Sequence, residues 1–162
     1  MVAATRYTAR GITHAITIEG VNTCLSRAYL RQCGMRTMFE VTVEDSFSAG
    51  HYLRNYKGKC ENPHGHNYKV LLTLRGQELD KAGLLLDFKD LKSALRSVID
   101  RLDHQMINDL EPFTTLNPSA ENLARYFYDE TNTRLKSITA GRVSVKAVTM
   151  FETDTSNATY YE

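Results

Sequence analysis

Residues 60–76 read CENPHGHNYKVLLTLRG and combine a pair of histidines with a strand pattern. From Tyr68 to Leu74, apolar side chains recur at every second position between Asn67, Lys69, Leu71 and Thr73. This alternation is typical of a β-strand that buries one face. Side chains two apart in a strand project from the same face, so His64 and His66 would lie side by side if the strand includes them.

His51 adds a third imidazole upstream of this pair. Three of the chain's five histidines therefore fall between His51 and His66. Three neutral imidazoles suit a tetrahedral Zn²⁺ and leave one coordination position open, which is typical of a catalytic zinc. The alternative is that His51 is a core or loop histidine and His64-Gly65-His66 a polar turn. The third histidine favours the metal site, and we predict that His51, His64 and His66 bind Zn²⁺.

Cys60 precedes His64 by four residues, and three roles are open for it. A thiol beside zinc and a basic loop would have a lowered pKa and act as a reactive thiolate. As a fourth ligand it would close the site and make the zinc structural. An inert buried thiol is the third reading.

Two acidic positions are further candidates for chemistry. Asp103 directly precedes His104, and a carboxylate beside an imidazole can set its tautomer and raise its pKa for general acid/base catalysis. The alternative is a solvated aspartate followed by a histidine at a helix end. Glu152 ends an apolar strand, where it could accept paired N–H donors from an amidine-like ring edge or simply be solvated.

The remaining chain predicts an α+β fold. Alternation predicts strands from Phe39 to His51, up to Arg75-Gly76, from Val143 to Thr149, and a turn and fourth strand within 151–161. Asp87 is a candidate N-cap for a helix with an apolar stripe from Phe88 to Leu102, and a second helix is predicted to open at Asn117-Pro118. The order ββααββ predicts an antiparallel four-stranded sheet with two helices on one face.

Composition bounds the class of protein. The 162 residues are enough for one domain with a proper core, and a net charge of +1 argues against a dedicated nucleic-acid binder. No apolar run approaches the roughly 20 residues that span a bilayer. Three cysteines at irregular spacing do not form a disulfide framework, which favours a reducing, cytoplasmic setting.

Residues 1–37 differ from the domain predicted over residues 38–162. They contain five arginines, no lysine and one acid, Glu19. This composition resembles an organellar transit peptide. A flexible extension, or a misassigned start with the true one at Met35 or Met38, is the favoured interpretation, and we expect no catalytic residue there.

Six motifs together resemble the 6-pyruvoyltetrahydropterin synthase / 6-carboxytetrahydropterin synthase family, from about Phe39 to Tyr161. They are Phe47-Ser48-Ala49-Gly50-His51, Cys60-x-x-x-His64-Gly65-His66, Leu86-Asp87-Phe88, Leu102-Asp103-His104, Pro118-Ser119-Ala120-Glu121-Asn122 and Phe151-Glu152-Thr153. The resemblance implies the tunnelling fold (T-fold), in which three subunits form a barrel and two barrels stack into a homohexamer with active sites at subunit interfaces.

The resemblance also implies roles for individual residues. His51, His64 and His66 would bind the catalytic Zn²⁺, and Cys60 would be the general base. Asp103 and His104 would relay protons. Glu152 would anchor the pterin ring, with Ser119 helping to close the pocket.

Three product branches follow from the resemblance. The spacing from Cys60 to His64 resembles the bacterial queuosine-pathway enzyme, which converts 7,8-dihydroneopterin triphosphate to 6-carboxy-5,6,7,8-tetrahydropterin, acetaldehyde and triphosphate. The 6-pyruvoyl branch is one alternative. Glu61 resembles a second acid/base of a variant that cleaves the side chain to 6-hydroxymethyl-7,8-dihydropterin for folate synthesis. A non-catalytic zinc module with Cys60 as fourth ligand is an alternative of another class.

Overall fold

The structure is a computed structural model that describes residues 38–162, so the predicted extension over residues 1–37 lies outside the described residues. Two 3₁₀ turns, Lys59–Glu61 and Ile107–Asp109, lie in the connections. The main elements are β1 (Phe39–His51), β2 (His64–Gly76), α1 (Phe88–Ile99), α2 (Ala120–Thr139), β3 (Val143–Thr153) and β4 (Ser156–Tyr161). The predicted α+β class and ββααββ order are confirmed.

The four strands form one antiparallel sheet in the order β1-β2-β3-β4. β1 and β2 are in continuous register from Phe39 opposite Gly76 to His51 opposite His64. Both strands bury every second side chain over much of their length. The buried side chains face the helices and include Phe47 and Ala49 on β1 and Tyr68 on β2. Because His51, His64 and His66 continue these buried rows, the hairpin brings all three to one face of the sheet.

β3 differs from the predicted alternation because the pairing with β2 shifts. Leu74 is opposite Val145 but Thr73 is opposite Ala147, so Lys146 is an extra residue in the ladder. Such a bulge moves the following side chains to the other face. The buried row therefore passes from Val143 and Val145 to Val148 and Met150, so the strand predicted from Val143 to Thr149 is present but its alternation is interrupted. β3 also extends to Thr153, past the predicted end.

The helices cover the apolar face of the sheet. Asp87 is the N-cap of α1, as predicted, and its side chain accepts a hydrogen bond from the Lys89 backbone N–H at 2.8 Å. α1 ends at Ile99, and Leu102 is buried in the turns that follow. The predicted start of the second helix was early, because Ser119 is the N-cap of α2. No helix within residues 38–162 is long and apolar enough to cross a membrane.

Candidate active site

Three imidazoles and one carboxylate converge where β1, β2 and β3 meet. His51 Nε2 lies 3.1 Å from His64 Nε2 and 3.2 Å from Glu152 Oε1. His66 Nε2 lies 3.6 Å from the same carboxylate oxygen. One ligand atom from each residue lies within 4.8 Å of all the others. We call these four residues the His/Glu cluster.

The hydrogen-bonding pattern around the His/Glu cluster favours a cation at its centre. His51 Nδ1 is 2.8 Å from the Pro118 carbonyl oxygen, and His64 Nδ1 is 2.8 Å from that of Asn62. A carbonyl only accepts, so both Nδ1 atoms carry a proton and each ring turns its Nε2 toward the other. His66 Nε2 is buried without a hydrogen-bond partner. A buried, unpaired imidazole nitrogen beside two further imidazoles and a carboxylate is a set of ligand atoms that suits a cation, so the predicted histidines fit a metal site.

His51 is the most deeply placed member of the His/Glu cluster, with 0% of its surface exposed. Burial lowers the pKa of its imidazole below the ordinary value, although the Pro118 carbonyl and the Glu152 charge act in the opposite direction. The ring is therefore neutral at neutral pH. A neutral imidazole is the form that binds a metal ion.

Glu152 reaches the His/Glu cluster from the end of β3, after the bulge at Lys146 and at a second shift in the pairing with β4 between Phe151 and Thr153. It lies two residues beyond Met150, whose side chain is buried in the core, so both side chains lie on the same face. The sequence predicted a carboxylate at a strand end but not its contact with the histidines. Glu152 supplies the fourth group of the cluster, and Cys60 is not a member of it.

Cys60 and Glu61 lie in the loop that joins β1 to β2. Cys60 is a free, partly buried cysteine in the 3₁₀ turn, and its carbonyl oxygen accepts a hydrogen bond from the Leu53 N–H at 2.8 Å. Glu61 Oε1 accepts one from the Tyr56 N–H at 3.2 Å. The Glu61 carboxylate thus closes the loop that carries Cys60.

Asp103 and His104 form the predicted pair, although they lie in the turns after α1 and not within a helix. Asp103 Oδ1 is 2.9 Å from His104 Nδ1 and accepts the Ser48 N–H at 3.0 Å. His104 adopts a left-handed backbone with φ of 58°, which turns its side chain toward the preceding carboxylate. The Ser48 N–H is the main cause that lowers the pKa of Asp103, with the His104 charge adding to it.

A cavity of about 490 Å³ lies between His104 and the edge of the His/Glu cluster. His104 and His66 both line it, together with Gly50 and Gly65. The His104 side chain is 80% exposed. His104 of the acid/base pair and His66 of the cluster therefore border one open space.

Ser119 and the loop residue Arg54 have structural contacts. Ser119 Oγ accepts the Asn122 N–H at 3.4 Å as the N-cap of α2. Arg54, from the loop with Lys57 and Lys59, donates to the Leu116 and Asn108 carbonyl oxygens at 3.3 and 3.4 Å. Its guanidinium thus binds backbone.

Sequence reasoning missed the residues that support the His/Glu cluster. The fully buried Tyr68 ring lies edge-on to His51 and His66, and its hydroxyl has no hydrogen-bond partner. Asn108 and Asn117 hold the backbone that follows His51 through their side-chain amides. Only the position of Tyr68 in the β2 alternation gave a signal, and that signal indicated burial.

Comparison with known proteins places this geometry in a family. The family described as 6-pyruvoyl tetrahydropterin synthase matches residues 40–162. The chain is 33% identical over 151 residues to the 6-carboxy-5,6,7,8-tetrahydropterin synthase of Haemophilus influenzae, covering 77% of this chain and 100% of that protein.

Solved structures of this family have the same fold. The 6-pyruvoyl tetrahydropterin synthase of Caenorhabditis elegans superposes with a TM-score of 0.68 at 31% identity, covering 78% of this chain and 96% of that one. A Plasmodium vivax 6-pyruvoyltetrahydropterin synthase, in which a catalytic glutamate is replaced by cysteine, gives 0.62 at 26% identity, covering 78% and 98%. The tunnelling fold is confirmed. With its matching fold and sequence, this chain is a lyase-type enzyme and belongs to the 6-pyruvoyl tetrahydropterin synthase family.

Proposed function

We propose that this enzyme converts 7,8-dihydroneopterin triphosphate and water to 6-carboxy-5,6,7,8-tetrahydropterin, acetaldehyde and triphosphate, as a cytoplasmic step of queuosine (7-deazaguanine) biosynthesis. The observation that carries the proposal is the convergence of three imidazole nitrogens and one carboxylate oxygen within 4.8 Å of one another. The name of the Haemophilus influenzae relative supports the 6-carboxy product.

In this proposal His51, His64 and His66 hold Zn²⁺. Two of the rings are already oriented by carbonyl oxygens that accept from Nδ1. Such outer contacts are typical of histidines that bind metals, because they fix the tautomer and the ring orientation. When bound, the zinc supplies Lewis acidity that makes protons next to a coordinated hydroxyl oxygen easier to remove.

Four further residues act on the substrate in this proposal, and a fifth helps to enclose it. Cys60 removes a side-chain proton as the general base, and the Asp103–His104 pair relays protons. Glu152 accepts N–H donors of the pterin ring in a charge-assisted contact, which requires its carboxylate to face the open side of the His/Glu cluster. Ser119 helps to close the pterin pocket at the start of α2.

The separation of these groups supports a site shared between subunits. Cys60 is not in the His/Glu cluster, and the His104 side chain is largely exposed. β1 and β4 are the edges of the sheet, and edge strands pair readily with another chain. We therefore propose a homohexamer built from two trimeric barrels, in which a neighbouring copy completes each active site.

The 6-pyruvoyl product and the 6-hydroxymethyl product are the alternatives within this family. The Plasmodium vivax relative has a glutamate as a catalytic residue, which favours testing Glu61 in that role. A structural zinc module with Cys60 as fourth ligand is the alternative of another class. It is less favoured, because the fourth group beside the histidines is Glu152.

Two substitutions test the proposal. Cys60→Ala should keep zinc and the folded state while turnover is lost, because the thiol acts on substrate and not on the metal. His51→Ala should lose most of its zinc, because it removes a ligand. Loss of zinc and folding in Cys60→Ala would support the structural module, and full zinc occupancy in His51→Ala would refute the three-histidine site. Metal content, circular dichroism and pterin chromatography give the readouts.

A further inference from the structure

Two asparagine side chains clamp the backbone that follows His51. Asn108 accepts from the Tyr52 N–H and donates to the Tyr52 carbonyl oxygen, both at 2.9 Å. Asn117 accepts from the Arg54 N–H at 2.8 Å and donates to the Arg54 carbonyl oxygen at 3.0 Å. Each amide thus imitates the double exchange of two paired strand residues.

The Asn117 backbone also supports the fold. Its carbonyl group belongs to the peptide bond that joins Asn117 to Pro118. The Asn117 carbonyl oxygen accepts from the Ser119 N–H and from Asn122 Nδ2, both at 2.9 Å. The peptide between Asn117 and Pro118 is therefore attached to the first turn of α2. Through the Asn117 side chain it is also attached to the segment after His51.

This peptide leads to the carbonyl group that orients His51. The Pro118 oxygen lies 2.8 Å from His51 Nδ1, in a contact that is buried. With the proton on Nδ1, His51 Nε2 is left unprotonated and faces His64 and Glu152. If Pro118 moved away, Nδ1 would lose its acceptor and the other tautomer would become competitive.

We propose that Asn117 is a positioning residue for His51: by clamping the Arg54 backbone it holds the Pro118 carbonyl against His51 Nδ1 and keeps the ring in the Nδ1–H tautomer. The tautomer is a property of the metal-free protein. Its consequence for zinc affinity rests on the function proposed above. Loss of an outer partner of this kind typically weakens metal affinity about 10- to 100-fold.

The test compares Asn117→Ala with Asn132→Ala as a matched control. Asn132 also accepts a backbone N–H, that of Val145 at 3.4 Å, but this bond joins α2 to β3 and not to the Asn117–Pro118 peptide. The His51 tautomer is measured by ¹⁵N NMR on metal-free protein, above the ordinary imidazole pKa of about 6.5. The His51 signals are assigned with the His51→Ala variant. Zinc affinity is measured separately by chelator competition.

Asn117→Ala should give a mixed tautomer at His51 and zinc affinity about tenfold weaker or more, whereas Asn132→Ala should keep both at the wild-type level. A wild-type tautomer in Asn117→Ala overturns the proposal. An equal tautomer change in the control overturns it too, because the effect would then be general loosening.

Asn117→Asp decides the matter if Asn117→Ala does not fold. It keeps an acceptor for the Arg54 N–H at nearly the same volume but loses the donor to the Arg54 carbonyl oxygen. A shifted tautomer supports the proposal, and an unchanged one overturns it. If the wild-type protein binds no zinc, the proposed function fails, while the tautomer comparison still decides the role of Asn117.

Discussion

Glu152 is the residue whose position most changes the chemistry of the site. Its carboxylate lies 3.2 Å from His51 Nε2 and 3.6 Å from His66 Nε2. It could therefore serve the metal, or a substrate ring that binds beside the metal. Replacing the carboxylate with a neutral amide distinguishes the two roles. A metal ligand would lose zinc with the charge, whereas a substrate contact would lose only part of its hydrogen bond.

We expect Glu152→Gln to keep zinc but to raise KM for the pterin substrate about tenfold or more. A hydrogen bond to a charged acceptor contributes roughly 1.5–3 kcal/mol, and the amide oxygen recovers only part of it. Metal analysis and steady-state kinetics measure the two effects. Loss of zinc with the charge would instead identify Glu152 as a ligand.

Glu61 provides a second prediction for a single residue. Its Oε1 accepts the Tyr56 N–H at 3.2 Å, and the side-chain amide oxygen introduced by Glu61→Gln can do the same. If Glu61 only closes the loop, Glu61→Gln should leave both the rate and the product distribution unchanged, whereas Glu61→Ala should slow turnover by loosening the loop around Cys60. Pterin products are separated by chromatography. Selective disappearance of the 6-hydroxymethyl product in Glu61→Gln would show an acid/base role.

The sequence could predict some of these residues and not others. His64 and His66 share a face because of strand periodicity, and His51 was recognisable by proximity. Glu152 was placed at a strand end, but its contact with the histidines follows two irregularities of β3, at Lys146 and at Glu152 itself, that strand alternation does not predict. Asn117 was interpreted as a helix N-cap, because asparagine followed by proline is typical of a helix start. Its side chain binds the Arg54 backbone instead.

At the scale of elements, the start of α2 shows how a local pattern can mislead by a short distance. Asn117 has a favoured cap side chain, but that side chain is bound to the Arg54 backbone. Ser119 therefore takes the cap position. The sequence predicted the existence and type of both helices, since their apolar stripes depend on helical periodicity. It could not predict this competition between a local and a distant partner.

Ser119→Ala and Asp87→Ala each remove one N-cap, and each should lower the free energy of unfolding by about 1 kcal/mol. Denaturant unfolding measures this loss. Only Ser119→Ala should also raise KM, because Ser119 lies at the proposed pterin pocket and Asp87 begins the other helix. Equal KM values in the two variants would reduce Ser119 to a structural cap.

At the scale of the whole molecule, one end of the sheet concentrates the chemistry. The β1–β2 hairpin register, the bulge in β3 and the start of α2 together build the His/Glu cluster. The antiparallel four-stranded sheet with two helices was predicted from the ββααββ pattern. The assembly was implied only by family resemblance, because two unpaired edge strands are compatible with several kinds of pairing.

The pH dependence of folding is expected to reflect the buried His51. Burial lowers the pKa of its imidazole in the folded state, so unfolding takes up a proton at pH values between that pKa and about 6.5. The stability of metal-free protein should therefore be full above about pH 6.5 and fall as the pH is lowered through this window. Urea unfolding of the wild-type protein and of His51→Gln at several pH values measures this decrease. The part of the decrease that His51 causes should be absent from the variant. An unchanged decrease in the variant would exclude His51 as its source.

The most direct test of the central claim is acetaldehyde release from 7,8-dihydroneopterin triphosphate, measured on one preparation before and after zinc is removed and restored. We predict acetaldehyde in equal amount to 6-carboxy-5,6,7,8-tetrahydropterin with zinc present, none after chelation, and recovery when zinc is returned. Equal release from zinc-free protein, or a pterin product without acetaldehyde, would contradict the zinc-dependent 6-carboxytetrahydropterin synthase proposed for this chain.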